Sequence, residues 1–401
     1  MRLLYIGKYQ FKKTNTGYAA LPAYGNAFWA KYLDVFEGVD VLGEEIKGYL
    51  NNGTVTDITD PRVTVRLVAP NTNPKDFKND GIVKRELNAA ISKAEAVLIK
   101  PSCRKGMMAI EICKKLNKPY MVELTGDLKL TLSLHRSFLK RMYGPIIHKQ
   151  VLRAIKDCKF GLYVTEEYLQ KIYPIAGEQC GCTDTFIPDP DEKALEQRIE
   201  KINGTHDKFI IGLVASYHDN RKGIDTIIEA LNKMKTTNVE LHILGLGTEE
   251  DRKKWFKYAE EQGVKDKVIF DQSLAGVEKV LEWNDGIDIA ILPSRSEGLP
   301  RCIVESMSRA CPCILSDAAG MPELIEHKWL HKPGDAEKLA KLIDSMCNSN
   351  KNMEDAAKKN FDRSKDFAQK VLTSRRNAFL NRFKEFRTAT LRRSLPVQYS
   401  A

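Results

Sequence analysis

No apolar run in the 401 residues reaches the length that spans a bilayer. The opening M-R-L-L-Y-I-G-K-Y is too short in its apolar part for a secretory signal and reads as a first strand. Nine cysteines are an odd number without the spacing of a disulfide framework, which points to free thiols and a reducing cytoplasm. No strand is followed by G-x-G-x-x-G with an acid about 20 residues on, which disfavours a dinucleotide oxidoreductase. The net charge is +10, yet no RNA- or DNA-reading motif accompanies it. The excess charge therefore suits other anions, namely phosphate-rich substrates or an acidic lipid leaflet, rather than nucleic acid. No internal repeat of solenoid length is present.

What is there is alternation. Short apolar strands (Leu3 to Gly7, Val63 to Val68, Ala96 to Ile99, Tyr120 to Leu124, Gly161 to Thr165) alternate with helical patterns in the first half. A similar series begins at Phe209 to Ala215 and continues with Val239 to Gly245, Lys267 to Phe270, Ile289 to Leu292 and Cys313 to Ser316. Between them, Cys180 to Asn203 loses apolar periodicity and turns charged. The expectation is α/β, with two doubly wound Rossmann-like domains facing a cleft. The first covers 1–185, a linker 186–205, the second 206–370, and 371–401 forms a terminal helix and tail.

The densest stretch is Leu292 to Glu326. A buried strand runs into a Gly/Pro loop, the loop opens a helix, and the helix leads to another strand. Pro300 suits a first helical position, where its missing N–H costs nothing. From there Ile303, Val304, Met307 and Ala310 fill one stripe, and Glu305 lies nearly opposite, away from the core. Glu297 precedes the helix and Glu305 sits about 7 Å beyond Pro300 along it. Two carboxylates thus flank a helix N-terminus, which favours phosphate. Carboxylates accept hydrogen bonds from sugar hydroxyls, so the pattern matches a nucleotide sugar.

The run E-G-L-P-x-x-x-x-E followed by G-x-P-E-L-I resembles the E-x7-E signature of family 4 retaining glycosyltransferases, which have the GT-B fold. The resemblance implies that Glu297 contacts the donor sugar, helped by amides at Gly298 and Leu299, and that Glu305 holds the ribose. R-K-G-I-D resembles the family's diphosphate-binding turn, which makes Lys222 the cation that neutralises the leaving phosphates. Where the family usually has an arginine, six positions earlier, this chain has Ser216, and Arg221 is a possible substitute. The family's Gly-Gly pair near the first strand is missing. Gly25 is the candidate there, as a diphosphate approach or as a simple helix-entry glycine.

E-L-T-G-D resembles a bacterial subgroup of surface-polysaccharide enzymes and lacks the family's histidine. Asp127 is either a contact for acceptor or donor sugar, or a helix cap. The basic, partly amphipathic segment 131–157, with Arg136, Lys140, Arg141, Lys149, Arg153 and Lys156, is either an interfacial surface or a solvated helix face. The arginines of the last ten residues are a second, weaker candidate for an acidic leaflet. Asp189-Pro-Asp191 looks like a metal-binding D-x-D, but its proline favours a turn. His327 and His331 have helical metal-pair spacing without a catalytic acid between them. The resemblance therefore implies a metal-independent, cytoplasmic transferase with no cofactor. It would move a sugar from a nucleotide-diphosphate donor to a glycan or lipid-linked acceptor, with possible peripheral contact at the inner membrane leaflet. The departures leave a second reading, a nucleotide-sugar-binding or scaffold protein that keeps the fold without turnover.

Overall fold

A computed structural model describes residues 1–394 except 16, 22–23, 47–54, 136, 186, 219 and 275, and gives no side-chain account of 74 or 391–394. Arg136 and the tail beyond Ser394, both considered above, lie outside the described residues, and the tail's Arg392 and Arg393 are described in backbone only. The chain divides into two compact units, Met1–Cys182 with Thr373–Ala401, and Thr183–Leu372.

The first unit runs β1 (Arg2–Thr14), β2 (Gly17–Ala20), α1 (Asn26–Leu33), β3 (Gly38–Glu45), β4 (Thr56–Ile58), β5 (Val63–Leu67), α2 (Asp80–Lys93), β6 (Ala96–Ile99), α3 (Arg104–Lys115), β7 (Met121–Leu124), α4 (Leu128–Ser133), α5 (Phe138–Ile155), β8 (Phe160–Tyr163), α6 (Tyr168–Ile172) and β9 (Glu178–Gly181). Its parallel strands lie in the order β5-β3-β1-β6-β7-β8-β9. Three features differ from the sequence reading, the first being β9, an unforeseen parallel strand beside β8. β1 continues through what reads as a polar loop and forms an antiparallel ribbon with β2 and β4. Its far half alternates, with Tyr9 and Phe11 buried and Lys8, Gln10 and Lys12 exposed, which is the period of a half-buried strand. β3, unforeseen, is a parallel strand between β1 and β5.

The second unit runs α7 (Glu192–Asn203), β10 (Phe209–Val214), α8 (Ile224–Lys233), β11 (Val239–Leu244), α9 (Glu249–Glu261), β12 (Val268–Asp271), α10 (Val277–Gly286), β13 (Ile289–Leu292), α11 (Arg301–Ser308), β14 (Cys313–Ser316), β15 (Leu330–His331), α12 (Ala336–Cys347) and α13 (Asn350–Ser364). The sheet order is β12-β11-β10-β13-β14-β15, all parallel. β10 is followed on one side by β11 and on the other by β13, so the winding reverses there and opens a crevice at the strands' carboxyl ends. The stretch expected to be a linker, 186–205, carries α7, with Ala194, Arg198 and Ile202 buried. Helix α14 (Gln369–Ser394) begins in this unit, and from Thr373 onward belongs to the first. There Phe379 and Phe383 pack edge-on against Phe160.

All nine cysteines are free. Among the described residues no cluster of three or more His, Cys, Asp or Glu side chains is placed to hold a metal, and no helix is long and apolar enough to cross a membrane. His327 and His331 are not a helical pair, because His331 lies on β15.

Candidate active site

β10 and β13 are parallel neighbours, so the loops that leave them emerge side by side. Gly223 makes the first loop fit. Its φ is +76°, and a Cβ there would lie 2.2 Å from the Pro293 carbonyl oxygen. Glycine is thus required for both its backbone and its lack of bulk. The loops are then laced together. The Arg295 N–H donates to the Arg221 carbonyl at 2.8 Å, and Ser294 Oγ lies 2.9 Å from that same carbonyl. The Arg295 guanidinium reaches the Asn220 carbonyl at 2.7 Å and both oxygens of Asp225, at 3.0 and 2.7 Å. Burial works against the Asp225 charge, but Arg295 and Asn220 win and hold its carboxyl below the ordinary range. The two glycines that follow β11 serve packing: a Cβ on Gly245 would strike the Ala215 carbonyl, and one on Gly247 the Tyr217 ring.

This lacing brings Lys222 and Glu297 together. Lys222 Nζ donates to Glu297 Oε1 at 2.7 Å, and Ser294 Oγ lies 2.9 Å from the same oxygen. Both side chains are half-buried. Burial penalises the lysine's charge, yet the Cys302 thiol and the Glu297 carboxylate beside it outweigh the penalty and raise its pKa. Gly298 and Leu299 follow in the same loop, which leads to Pro300. Pro300 is the N-cap of α11 rather than its first residue, and no side chain caps that helix. Of its first amides, Ile303 N–H turns back to the Pro300 carbonyl at 3.2 Å, and a helix start without a side-chain cap suits an anion.

Glu305 corrects the sequence reading. It does not lie clear of the packed interior: it is 5% exposed, and Arg301 Nε holds its Oε1 at 2.7 Å. The reason is that α11 is buried nearly all round from Ile303 to Ser308, so even the face opposite its apolar stripe is covered. Ser216 is exposed on the β10 loop, and the Arg221 side chain is exposed beside Lys222.

The other two candidates belong to the first unit. Asp127 is the N-cap of α4: Oδ1 accepts from the Leu130 N–H at 3.2 Å and from Tyr173 Oη at 3.2 Å, and Oδ2 accepts from Tyr168 Oη at 2.8 Å. The cap reading is thus seen directly in these contacts. Gly25 is the buried N-cap of α1 with φ −74°, a conformation open to any residue. Sequence reasoning missed Ser294, Arg301 and the Arg295–Asp225 pair. Arg301 was visible as a cation four positions before Glu305, the spacing of a helical ion pair. Arg295 and Asp225 are far apart in sequence and carried no such signal.

Residues 195–363 match the family described as glycosyl transferases group 1. The second unit is a glycosyltransferase domain of that group. The match covers the second unit from α7 to α13. The glycosyltransferase is also similar to Protein CapJ of Staphylococcus aureus, 28% identical over 350 residues that cover 86% of this chain and 85% of that one. Amylovoran biosynthesis glycosyltransferase AmsK of Erwinia amylovora is 30% identical over 171 residues, which are 36% of this chain and 41% of that protein. Among solved structures, a sucrose-phosphate synthase from Thermosynechococcus elongatus superposes with a TM-score of 0.65 at 15% identity, covering 98% of this chain and 99% of that one. Anabaena HepE in complex with UDP and glucose gives 0.63 at 13% identity, covering 96% and 100%. At such identities these likenesses speak for the fold alone, which is GT-B.

Proposed function

We propose that this glycosyltransferase moves a sugar, with retention of configuration, from a nucleoside-diphosphate sugar held by the second unit. The acceptor is a glycan or a lipid-linked glycan in the synthesis of a cell-surface polysaccharide. The relative AmsK is named for amylovoran biosynthesis, and HepE carries UDP and glucose on the same fold. Work on a lipid-linked acceptor places the enzyme at the inner membrane leaflet.

The observation that carries the reading is the Lys222–Glu297 pair at the junction of two laced loops. An acid and a base paired at 2.7 Å, half open, form a dipole that one ligand satisfies at both ends. Glu297 accepts from sugar hydroxyls, with the amides of Gly298 and Leu299 beside it. Lys222 meets the charge that builds on the leaving diphosphate, a role that preorganised cations perform at low cost in reorganisation. Arg221 adds charge where Ser216 supplies none, and the uncapped start of α11 adds N–H dipoles. Glu305, oriented by Arg301, holds the ribose. The departing phosphate takes the acceptor's proton on the same face, so the chain supplies no general base and no metal. Asp127 shapes the first unit as a helix cap, and Gly25 opens α1.

The test is turnover of a nucleotide-sugar panel, read by mass spectrometry, with Glu297→Gln and Lys222→Ala at wild-type fold. Each is expected to lower transfer by roughly 100-fold or more, and a chelator leaves the rate unchanged. Wild-type rates in both variants would sink the assignment.

A further inference from the structure

Among the described residues, five of the six most exposed large apolar side chains lie on one helix. Phe138, Leu139, Met142, Tyr143 and Ile146, all in the first half of α5, are between 51% and 71% exposed. They fall at i, i+1, i+4, i+5 and i+8, which is one continuous face of a helix. The opposite face is already used. Gly144, Val151 and Ile155 are buried, and Gly144 seats α5 on α4, where a Cβ would touch Leu132 Cβ and the Lys129 carbonyl at 3.4 Å. The helix is therefore apolar on two sides, with one side left open to water. A patch of that kind marks a contact surface.

Charge decides what covers it. From Leu128 to Lys156 the sequence has no acidic residue and seven lysines and arginines. Lys149 and Arg153 continue the open face along the second half of α5, and both are exposed. Lys140 and Arg141 flank its first half, also exposed. A second copy of the chain meeting this face about a two-fold axis would set like charges against one another, which is costly. An anionic bilayer satisfies both halves at once. The aliphatic and aromatic side chains enter the headgroup–acyl boundary, and the cations reach the phosphates.

We propose that the open face of α5 is a docking surface for an anionic lipid bilayer, with the helix lying in the interface plane. The proposal deepens the reading of a lipid-linked acceptor by naming the surface that meets its membrane. It rests on that reading only for its purpose, since the patch stands whether or not sugar is transferred.

The experiment is co-sedimentation of the full chain with vesicles of a zwitterionic phospholipid, with and without an added anionic one. The wild type is expected to bind the anionic vesicles and to lose binding as salt is raised. Leu139→Ser/Met142→Ser/Ile146→Ser and Lys149→Gln/Arg153→Gln should each weaken that binding by roughly tenfold or more. These side chains are solvent-facing, so circular dichroism and the unfolding midpoint should stay at wild-type values. Donor hydrolysis, measured without vesicles, should stay unchanged in both variants, which separates this proposal from the assignment of Glu297 and Lys222. Absence of wild-type binding to anionic vesicles would overturn it. So would self-association of the wild type that the serine variant abolishes, because the face would then join two copies of the chain.

Discussion

Gly223 is where one atom decides the geometry of the active site. Its left-handed backbone costs an L-residue about 1–2 kcal/mol, and an added Cβ would lie 2.2 Å from the Pro293 carbonyl oxygen. Gly263 has a similar φ, +70°, but nothing lies within 4 Å of the position of its Cβ. The pair separates strain from collision. Gly263→Ala should lose about 1 kcal/mol in denaturant unfolding and keep wild-type turnover. Gly223→Ala should lose more than that and also lose most transfer activity, because the loops must part and Lys222 then leaves Glu297. Equal activity in the two variants would show that the close approach does not matter.

Asp225 gives a second test at this scale. Its folded pKa lies below the ordinary 3.8, chiefly because Arg295 and Asn220 overcome the opposing effect of burial. A depressed carboxyl contributes stability above its unfolded pKa and loses it as pH falls through the folded value. Asp225→Asn should therefore be destabilised by about 1–3 kcal/mol near neutral pH. The difference from wild type should shrink below about pH 3.8 as the wild-type carboxylate protonates. Unfolding midpoints measured across pH read this directly. A gap that persists unchanged into acid would mean that Arg295 does not hold the charge.

At the scale of elements, α7 closes the ends of two other helices with one side chain. Arg198, 3% exposed, donates to the carbonyls of Asn284 and Ile287 at 2.7 and 2.5 Å and of Arg309 at 3.3 Å. These lie at the C-terminal ends of α10 and α11, where carbonyls lack helical partners and a cation is favoured. Arg198→Met keeps the packing and removes the donors. It should destabilise the second unit by about 3 kcal/mol and speed amide exchange in α10 and α11, with exchange in the first unit unchanged.

The same residue explains why α7 reads as a linker. Its buried stripe is Ala194, Arg198 and Ile202, with a cation in the middle, so the apolar period is broken at the position that matters most. β3 was hidden for a different reason. V-D-V-L-G-E-E carries three acids and a glycine, yet both faces of its centre are buried between parallel neighbours. Burial on both faces erases the alternation that reveals a half-buried strand. By contrast, the strand–loop–helix–strand frame around Glu297 was legible, because loop glycine and proline, a helical stripe and two apolar strands agree there. Which atoms meet across loops was not. The partnership of Lys222 with Glu297 depends on β10 and β13 being neighbours, and that is a property of the whole sheet.

At the scale of the molecule, the second unit is one continuous segment, Thr183–Leu372, while the first is completed by the chain's last part. That last part supplies Phe379, Leu380 and Phe383, all fully buried. It also supplies Arg375 and Arg382, which meet Glu166 and Glu178 at 2.7 Å each. Removing one buried aromatic typically costs about 3–5 kcal/mol, and a whole domain is stable by only about 5–15 kcal/mol. Two such aromatics and a buried leucine, worth about 2–5 kcal/mol itself, lost together equal or exceed the first unit's margin. A chain ending at Leu372 should therefore lose the calorimetric transition of the first unit and retain that of the second. Because Lys222, Glu297 and Glu305 all lie in the retained unit, a nucleoside diphosphate should still raise the midpoint of the surviving transition, although transfer is abolished. A truncated chain that melts in a single transition at the wild-type midpoint would show that the terminal helix is not part of the first unit's core.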